Sequence, residues 1–344
     1  MKFRYYILYV FAIVSLAGCK QDFKVTADYE ETPVVYGLLN WQETRHFIRI
    51  QKGFLIEGNA YVAAGVPDSI YYRDILTVQL KDANGGATFD LKRVNGDTLN
   101  PPLPKDSGAF AKSPNILYTF DGNLDPSRTY RLEIKNNESG KEIFATTTMV
   151  KDFSVFLPLR GTKLNLISIN SPAIRWNLAE NGSLYDFTVR VYYVEHKLSD
   201  NNYSKDTFID IPFLRLQPQE YTPGGYYESR FNSDIVLRYI ASRLPANNDL
   251  FREYDKAKGM QFIYAVGGTE LGKYISSRNA QGGITSNEAL PPYTNVDGGV
   301  GLLSSRYFKT VDSVFLSDAG IDSLACQEVM KPLRFKNHYG NFCN

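Results

Sequence analysis

The sequence predicts a mainly β protein made of two β-sandwich modules, the second carrying a few helices. Three observations lead there. Aromatic residues are abundant, with 24 Tyr and 21 Phe against 2 Trp and 4 Met, a balance that suits the half-buried surface of a sheet. Apolar and polar residues alternate with period two in run after run, which places one strand face on a core and the other in water. Short clusters rich in Gly, Asn and Asp separate those runs, as turns do in a sandwich. At 344 residues and 43% hydrophobic content, the chain has material for two cores.

Residues 1–18 read as an export signal. Lys2 and Arg4 flank the start of the apolar run Tyr5–Val14, which is short for a membrane span and suits the core of a secretory signal. Leu16-Ala17-Gly18-Cys19 resembles a bacterial lipobox, which implies cleavage before Cys19 and a diacylglycerol on its thiol. Several acyl chains on one residue anchor stably where a single chain binds only marginally. Lys20 comes next; by resemblance to lipoprotein sorting, it implies export to the outer membrane, on its periplasmic or cell-surface face. Residues 19–32 hold few core-type side chains and read as a lipid-anchored tether.

The first module spans 33–150. Leu76, Val78 and Leu80 alternate with polar neighbours, as do Phe89 and Leu91, then Ile116, Tyr118 and Phe120, then Tyr130, Leu132 and Ile134. Turn clusters at 83–86, 95–97 and 136–140 separate them. The segment Leu124-Asp125-Pro126-Ser127-Arg128-Thr129-Tyr130 resembles the tyrosine corner of immunoglobulin-like and fibronectin type III sandwiches. There a Tyr at a strand start hydrogen-bonds back across the turn.

The pattern resets around Val150–Arg160, and the second module spans 151–344. Ala173-Ile174-Arg175-Trp176 leads through a turn at 180–183 into a long alternating run, with Tyr185, Phe187, Val189, Val191 and Tyr193 on one face. A Trp on one strand with a Tyr opening the next is similar to the fibronectin type III core, so Trp176 reads as core. Ser233 is placed to cap a helix presenting Val236, Leu237, Ile240 and Leu244, which Pro245 ends. Met260–Val266 reads as a buried strand, and Thr269 as the cap of a second helix with Leu271, Tyr274 and Ile275 inward. With Cys19 lipidated, Cys326 and Cys343 remain in an oxidising compartment. They are either two free thiols or, the favoured reading, a disulfide that pins the C-terminus, contributing roughly 2–4 kcal/mol.

For function, composition excludes more than it assigns. Lys and Arg total 38 against 37 Asp and Glu, which leaves no electrostatic footprint for nucleic acid. Three Cys and three His leave little material for a dedicated metal centre, and no cofactor is expected. Gly267–Tyr274 falls one residue short of a phosphate-binding loop, with Tyr274 where the Mg²⁺-holding hydroxyl belongs, and reads as a turn. Asp121–Asp125 begins like a calcium loop, but Pro126 stands where Gly is needed and Leu132 where a bidentate Glu is needed. His46, His196 and His338 form no H-E-x-x-H helix, and no G-x-S-x-G elbow exists. No catalytic residue is assigned, and an enzyme is not expected. Tyr226 and Tyr227, after Pro223-Gly224-Gly225, are candidate binding residues; the competing reading packs them against their own sandwich. Four Asp-[Ser/Thr]-aliphatic segments resemble the O-glycosylation sequon of exported Bacteroidota proteins, with Ser69, Thr98, Ser313 and Ser323 as acceptors.

Taken with Leu16–Cys19, the segments Thr32–Leu39, Ile174–Trp176, Tyr185–Tyr193 and the Gly-rich Tyr293–Leu303 resemble a Bacteroidota family of outer-membrane lipoproteins of unassigned function. Its members are often encoded beside TonB-dependent receptors. The family carries no established catalytic residues to transfer. The resemblance implies a membrane-anchored, non-catalytic accessory of an outer-membrane β-barrel partner. A surface glycan-binding lipoprotein is the alternative and a fimbrial-type subunit the third reading.

Overall fold

The computed structural model describes residues 32–53, 59–166, 172–216, 225–281 and 293–343. Cys19, the signal and all of the tether but Thr32 lie outside the described residues. The protein is mainly β. In chain order the elements are β1 (Pro33–Leu39), β2 (Arg45–Lys52), α1 (Ala60–Ala64), α2 (Pro67–Ile70), β3 (Leu76–Asp82), β4 (Thr88–Asp90), β5 (Lys92–Asn95), β6 (Ile116–Asp121), β7 (Thr129–Asn136) and β8 (Glu142–Thr148). There follow β9 (Val155–Leu157), β10 (Lys163–Leu164), β11 (Ala173–Asn177), β12 (Gly182–Lys197), β13 (Ser204–Leu216), β14 (Tyr226–Arg230), α3 (Ser233–Arg243) and β15 (Leu250–Tyr254). The last are β16 (Met260–Gly268), α4 (Thr269–Gln281), β17 (Val296–Asp297), β18 (Val300–Leu316) and α5 (Asp318–Cys326). No helix among the described residues is long and apolar enough to cross a membrane.

The first unit is sandwich-like. One sheet runs β18-β1-β2-β6-β5 and the other β17-β8-β7-β3-β4. The period-two runs do what their alternation demands: Val35, Ile48 and Tyr118 from one sheet meet Leu80, Leu132 and Ile143 from the other in a single core. Tyr130, at the start of β7, accepts a hydrogen bond from the Asp125 backbone N–H through its hydroxyl at 2.8 Å. That is the expected corner. The turn cluster at 95–97 closes as a short 3-10 turn, with the Asn95 side chain accepting from the Asp97 N–H.

The second unit sets β13-β12-β16-β18, with β15 on the far half of β12, against the smaller sheet β14-β11-β9. Trp176 is fully buried at its centre, its ring 4.8 Å from Tyr227 and 5.2 Å from Tyr264. A second corner appears here. The hydroxyl of Tyr185, near the start of β12, accepts from the buried Ala179 N–H at 2.6 Å. Helix α3 contributes Val236, Leu237 and Ile240 to the core, as its spacing predicts. Its cap is Asn232 rather than Ser233, however: the Asn232 side chain reaches the Ile235 N–H, while Ser233 is buried as the first helical residue.

The chain returns to the first unit late. β18 is 17 residues long. Its start, Val300–Ser305, pairs in parallel with Val34–Leu39, and its continuation pairs antiparallel with β16. Such a parallel neighbour needs a long crossover, and here the crossover is the rest of the first unit together with the second. Gly301 makes the pairing sterically feasible. It sits at φ +126°, and a Cβ there would lie 1.9 Å from the Val35 carbonyl oxygen. Asn295 ties the approach down, accepting from the Leu303 N–H at 3.0 Å and donating to the Thr146 and Leu303 carbonyls.

The turn between β1 and β2 clamps the junction of the two units. The Trp41 indole donates to the Val150 carbonyl at 2.9 Å and stacks on Tyr307 with ring centroids 5.1 Å apart. Gln42 exchanges hydrogen bonds with the Phe308 backbone, and Arg306 pairs with Glu43 at 3.2 Å. Asp152 receives the Tyr307 hydroxyl at 2.7 Å and the Lys309 ammonium at 2.6 Å. Burial pushes the Asp152 carboxyl up, but those donors outweigh it and hold the group below the usual carboxylate range.

Candidate functional site

Two surfaces stand out physically. The first is the outer face of β1. Along this strand Val35, Gly37 and Leu39 are buried, and the alternate positions Tyr36 and Leu38 are exposed. A central strand between β18 and β2 should turn polar side chains to water. This one turns out a tyrosine and a leucine, with exposed Phe308 on β18 and half-buried Phe47 on β2 nearby in the same sheet. Tyr274 of α4 closes one side, its ring 6.5 Å from that of Tyr36. Burial, and then the contact with Tyr274, raise the Tyr36 phenol above its ordinary value.

The second is a recess of about 550 Å³ at the end of the second unit remote from β1, lined among others by Tyr254, Lys256, Lys336, Asn337, His338 and Tyr339. Its wall is the C-terminal segment, held by four ties. Cys326 and Cys343 are joined in a disulfide, with Cα atoms 5.1 Å apart. His338 donates from Nδ1 to Asp322 at 2.7 Å. Burial raises the Asp322 carboxyl, but His338 outweighs it and holds the group below its ordinary value. Arg252, wholly buried, binds the Leu333 carbonyl at 2.9 Å, the Pro245 carbonyl at 3.1 Å and Glu195 at 3.1 Å. Lys336 pairs with Glu253 at 2.6 Å. The charged groups of this wall are thus largely engaged with one another, an arrangement that builds a firm rim.

The structure separates Tyr226 and Tyr227. Both lie on β14 rather than in a loop, paired with Asn177 and Trp176. Tyr226 is exposed, with the Arg175 guanidinium 5.2 Å from its ring centre, while Tyr227 packs inward on Trp176. The four glycosylation acceptors also differ. Thr98 is exposed on its 3-10 turn, Ser69 is half-buried on α2, and Ser313 is half-buried at a positive φ within β18. Ser323 is buried on α5, its hydroxyl donating to the Ala319 carbonyl at 2.9 Å, so a glycan has no room there in the folded chain.

The remaining motifs have structural explanations. His46 is buried and stacked on Phe120, with Nε2 donating to the Gly122 carbonyl at 3.1 Å. Burial pushes its imidazole below the ordinary value. His196 stacks on Phe251. In the calcium-like segment Asp121 is taken by Arg45 and Asp125 by Ser127. Strand β16 runs directly into α4, so Thr269 is the first helical residue rather than the cap, and Gly272 is required for packing, since a Cβ there would fall 2.2 Å from the Ser183 hydroxyl. Among the described residues no group of three His, Cys, Asp or Glu side chains is arranged to hold a metal ion. Trp41, Asp152, Arg252 and the Asp322–His338 pair were not singled out by the sequence. Of these only Trp41 carried a signal, as one of two tryptophans. No protein-family model matches the chain, and no curated protein does.

Proposed function

We propose that this chain is a lipid-anchored protein of the outer membrane, without catalytic activity of its own, that docks as an accessory on a β-barrel partner such as a TonB-dependent transporter. The observation that carries the reading is the outer face of β1. Tyr36 and Leu38, and beyond Arg306 also Phe308, form an interrupted apolar strip where a solvated sheet face would be polar, and exposed apolar side chains so grouped mark protein interfaces. The strip crosses from the first unit to the second at a junction clamped by Trp41 and Asp152, so a partner would meet a preformed surface. The immunoglobulin-like reading of the units draws support from the two tyrosine corners. In the first unit it also draws on the order β1-β2-β6-β5 facing β8-β7-β3-β4, which follows the pattern of that fold.

The test is affinity purification of the tagged protein from detergent-solubilised outer membranes, with mass spectrometry of what co-elutes. Cys19→Ala serves as the control for membrane bystanders. A stoichiometric barrel protein that is lost with Tyr36→Asp and Leu38→Asp supports the reading. A partner that survives both substitutions moves the interface elsewhere, and a protein recovered alone after crosslinking ends the proposal. The glycan-binding reading is favoured by the exposed Tyr339 ring at the rim of the 550 Å³ recess, and binding lost on Tyr339→Ala would support it. The fimbrial reading needs an open edge awaiting a donated strand, whereas the edge beside β1 is filled by β18 of the same chain.

A further inference from the structure

The pole of the first unit where the chain leaves its tether carries the most exposed apolar side chains of that unit. The Thr32 carbonyl accepts from the Gly53 N–H at 2.7 Å, which places the start of β1 at the root of the β2–β3 connection. That connection carries α1, in which Ala63 and Ala64 are buried while Tyr61 is 75% and Val62 67% exposed. Val66 follows, also exposed. The Ala111 N–H bonds to the Ala64 carbonyl at 2.8 Å and brings the β5–β6 connection alongside, with Phe110 49% exposed. Beneath them Ile70, Tyr71, Ala111 and Ile116 form a small core of their own, so the exposed side chains stand on a packed base. A helix with apolar residues on both its inner and outer faces has no reason to stay uncovered in water.

We infer that this pole is a lipid-facing surface, seated at the headgroup–acyl boundary of the bilayer that holds the anchor on Cys19. The inference rests on the lipidation of Cys19. Reach argues for it. Twelve residues, Lys20 to Glu31, separate Cys19 from Thr32, at most about 45 Å of chain. β18 starts beside Val34 at this pole and carries the fold roughly 50 Å away from it. A tether of that length, rooted at Thr32, holds the Tyr61 pole within about 45 Å of the membrane and nearer to the anchor's root than the C-terminal recess is. Charges on the same connections are mixed and lean acidic, with Arg73, Lys105 and Lys112 against Glu57, Asp68, Asp74, Asp97 and Asp106. Contact should accordingly depend on apolar insertion, not on anionic lipid. Seated this way, the β1 face points sideways along the membrane, where a barrel in the same bilayer would stand.

The test uses the mature acylated protein in vesicles of phosphatidylcholine, with or without phosphatidylglycerol. Because Cys19 is acylated and Cys326 is bonded to Cys343, a single introduced cysteine can be labelled selectively with a polarity-sensitive fluorophore. Tyr61→Cys and Phe110→Cys are the probes, and Tyr339→Cys is the remote control. Expected are a blue-shifted emission and about twofold or greater quenching by bromine-labelled acyl chains at positions 61 and 110. Position 339 should show neither, and the result should be the same in both lipid mixtures. Unquenched labels at 61 and 110, with mass spectrometry finding acyl chains on Cys19, would overturn the lipid contact and leave the anchor standing. Absence of acyl chains would instead overturn the anchoring reading, and this inference with it. Burial of the labels only in native membranes would make the pole a protein interface and also overturn the proposal.

Discussion

Replacing Tyr185 by Phe should destabilise the protein more than replacing Tyr130 by Phe, although both substitutions remove one hydroxyl from a buried tyrosine at a strand start. The difference lies with the donors. The Tyr185 hydroxyl accepts from Ala179, a residue with 0% exposure. Without the acceptor that N–H is orphaned away from water, at a cost of about 1–3 kcal/mol. Tyr130 accepts from Asp125, which is exposed. Water can replace the hydroxyl there, and the loss should stay near the ordinary ~0.5–1.5 kcal/mol of a hydrogen bond. Urea unfolding followed by circular dichroism measures both, read from midpoints at unchanged slope. The corners lie in different units, so the double variant should show the sum of the two losses. Equal losses, or a larger one for Tyr130→Phe, would refute the argument that donor burial sets the cost.

Gly301→Ala should prevent β18 from docking on β1, because the new Cβ meets the Val35 carbonyl at 1.9 Å in a conformation L-residues avoid. We expect a loss above about 4 kcal/mol, seen as rapid amide exchange in β1, and a stable folded variant would contradict it. Glu195→Gln leaves the buried Arg252 guanidinium without its carboxylate; since Glu195 is itself partly solvated, the cost should fall at or below the low end of ~3–5 kcal/mol, measured by thermal and urea unfolding. The His46 imidazole is depressed by burial in the folded state, so the unfolded chain binds the extra proton first. Stability should fall as pH drops below about 6.5, and His46→Gln should flatten that decline in urea midpoints compared across this range. Cys326→Ser opens a bridge across 17 residues, which should cost about 3 kcal/mol and make the C-terminal segment sensitive to protease at temperatures where the parent resists.

Strand content was legible because period-two burial is a local property: the runs around Val78, Leu132 and Phe187 carry their own inside and outside. The corner at Tyr130 was legible because its turn and its strand are contiguous in sequence. The corner at Tyr185 was visible only as a Tyr opening a strand after a Trp. The partner there is a backbone N–H at Ala179, and backbone donors leave no mark on residue identity. The pairing of β1 with β18 could not be read at all. It joins positions more than 250 residues apart, and Gly301 looks like any turn glycine until Val35 is placed against it. The β1 face was hidden for a related reason: Val34-Val35-Tyr36-Gly37-Leu38-Leu39 is apolar on both faces, and the sequence does not say which neighbours cover which side. Arg252 shows the limit most plainly, since an arginine in a short strand, next to Glu253, reads as solvated until three separate segments close around it.

Two sandwich units joined by a single crossing would pivot about it, and a surface spanning both would have to be ordered each time a partner bound. Here the joint has no such freedom. β18 is hydrogen-bonded to β1 at its start and to β16 further along, so bending at the junction would break a ladder in one unit or the other. Trp41, Arg306 and Asp152 occupy that same stretch, which leaves no solvated hinge among them. The exposed apolar residues Tyr36, Leu38 and, beyond Arg306, Phe308 lie across this joint, two from the first unit and one from the strand both units share. A strip fixed in advance requires little further ordering on binding, so a modest area can support a specific contact. The same rigidity links the proposed lipid contact to the proposed docking face. Fixing the Tyr61 pole on the bilayer fixes the direction in which Tyr36 faces, and the search for a partner is then reduced to diffusion and rotation within the membrane plane.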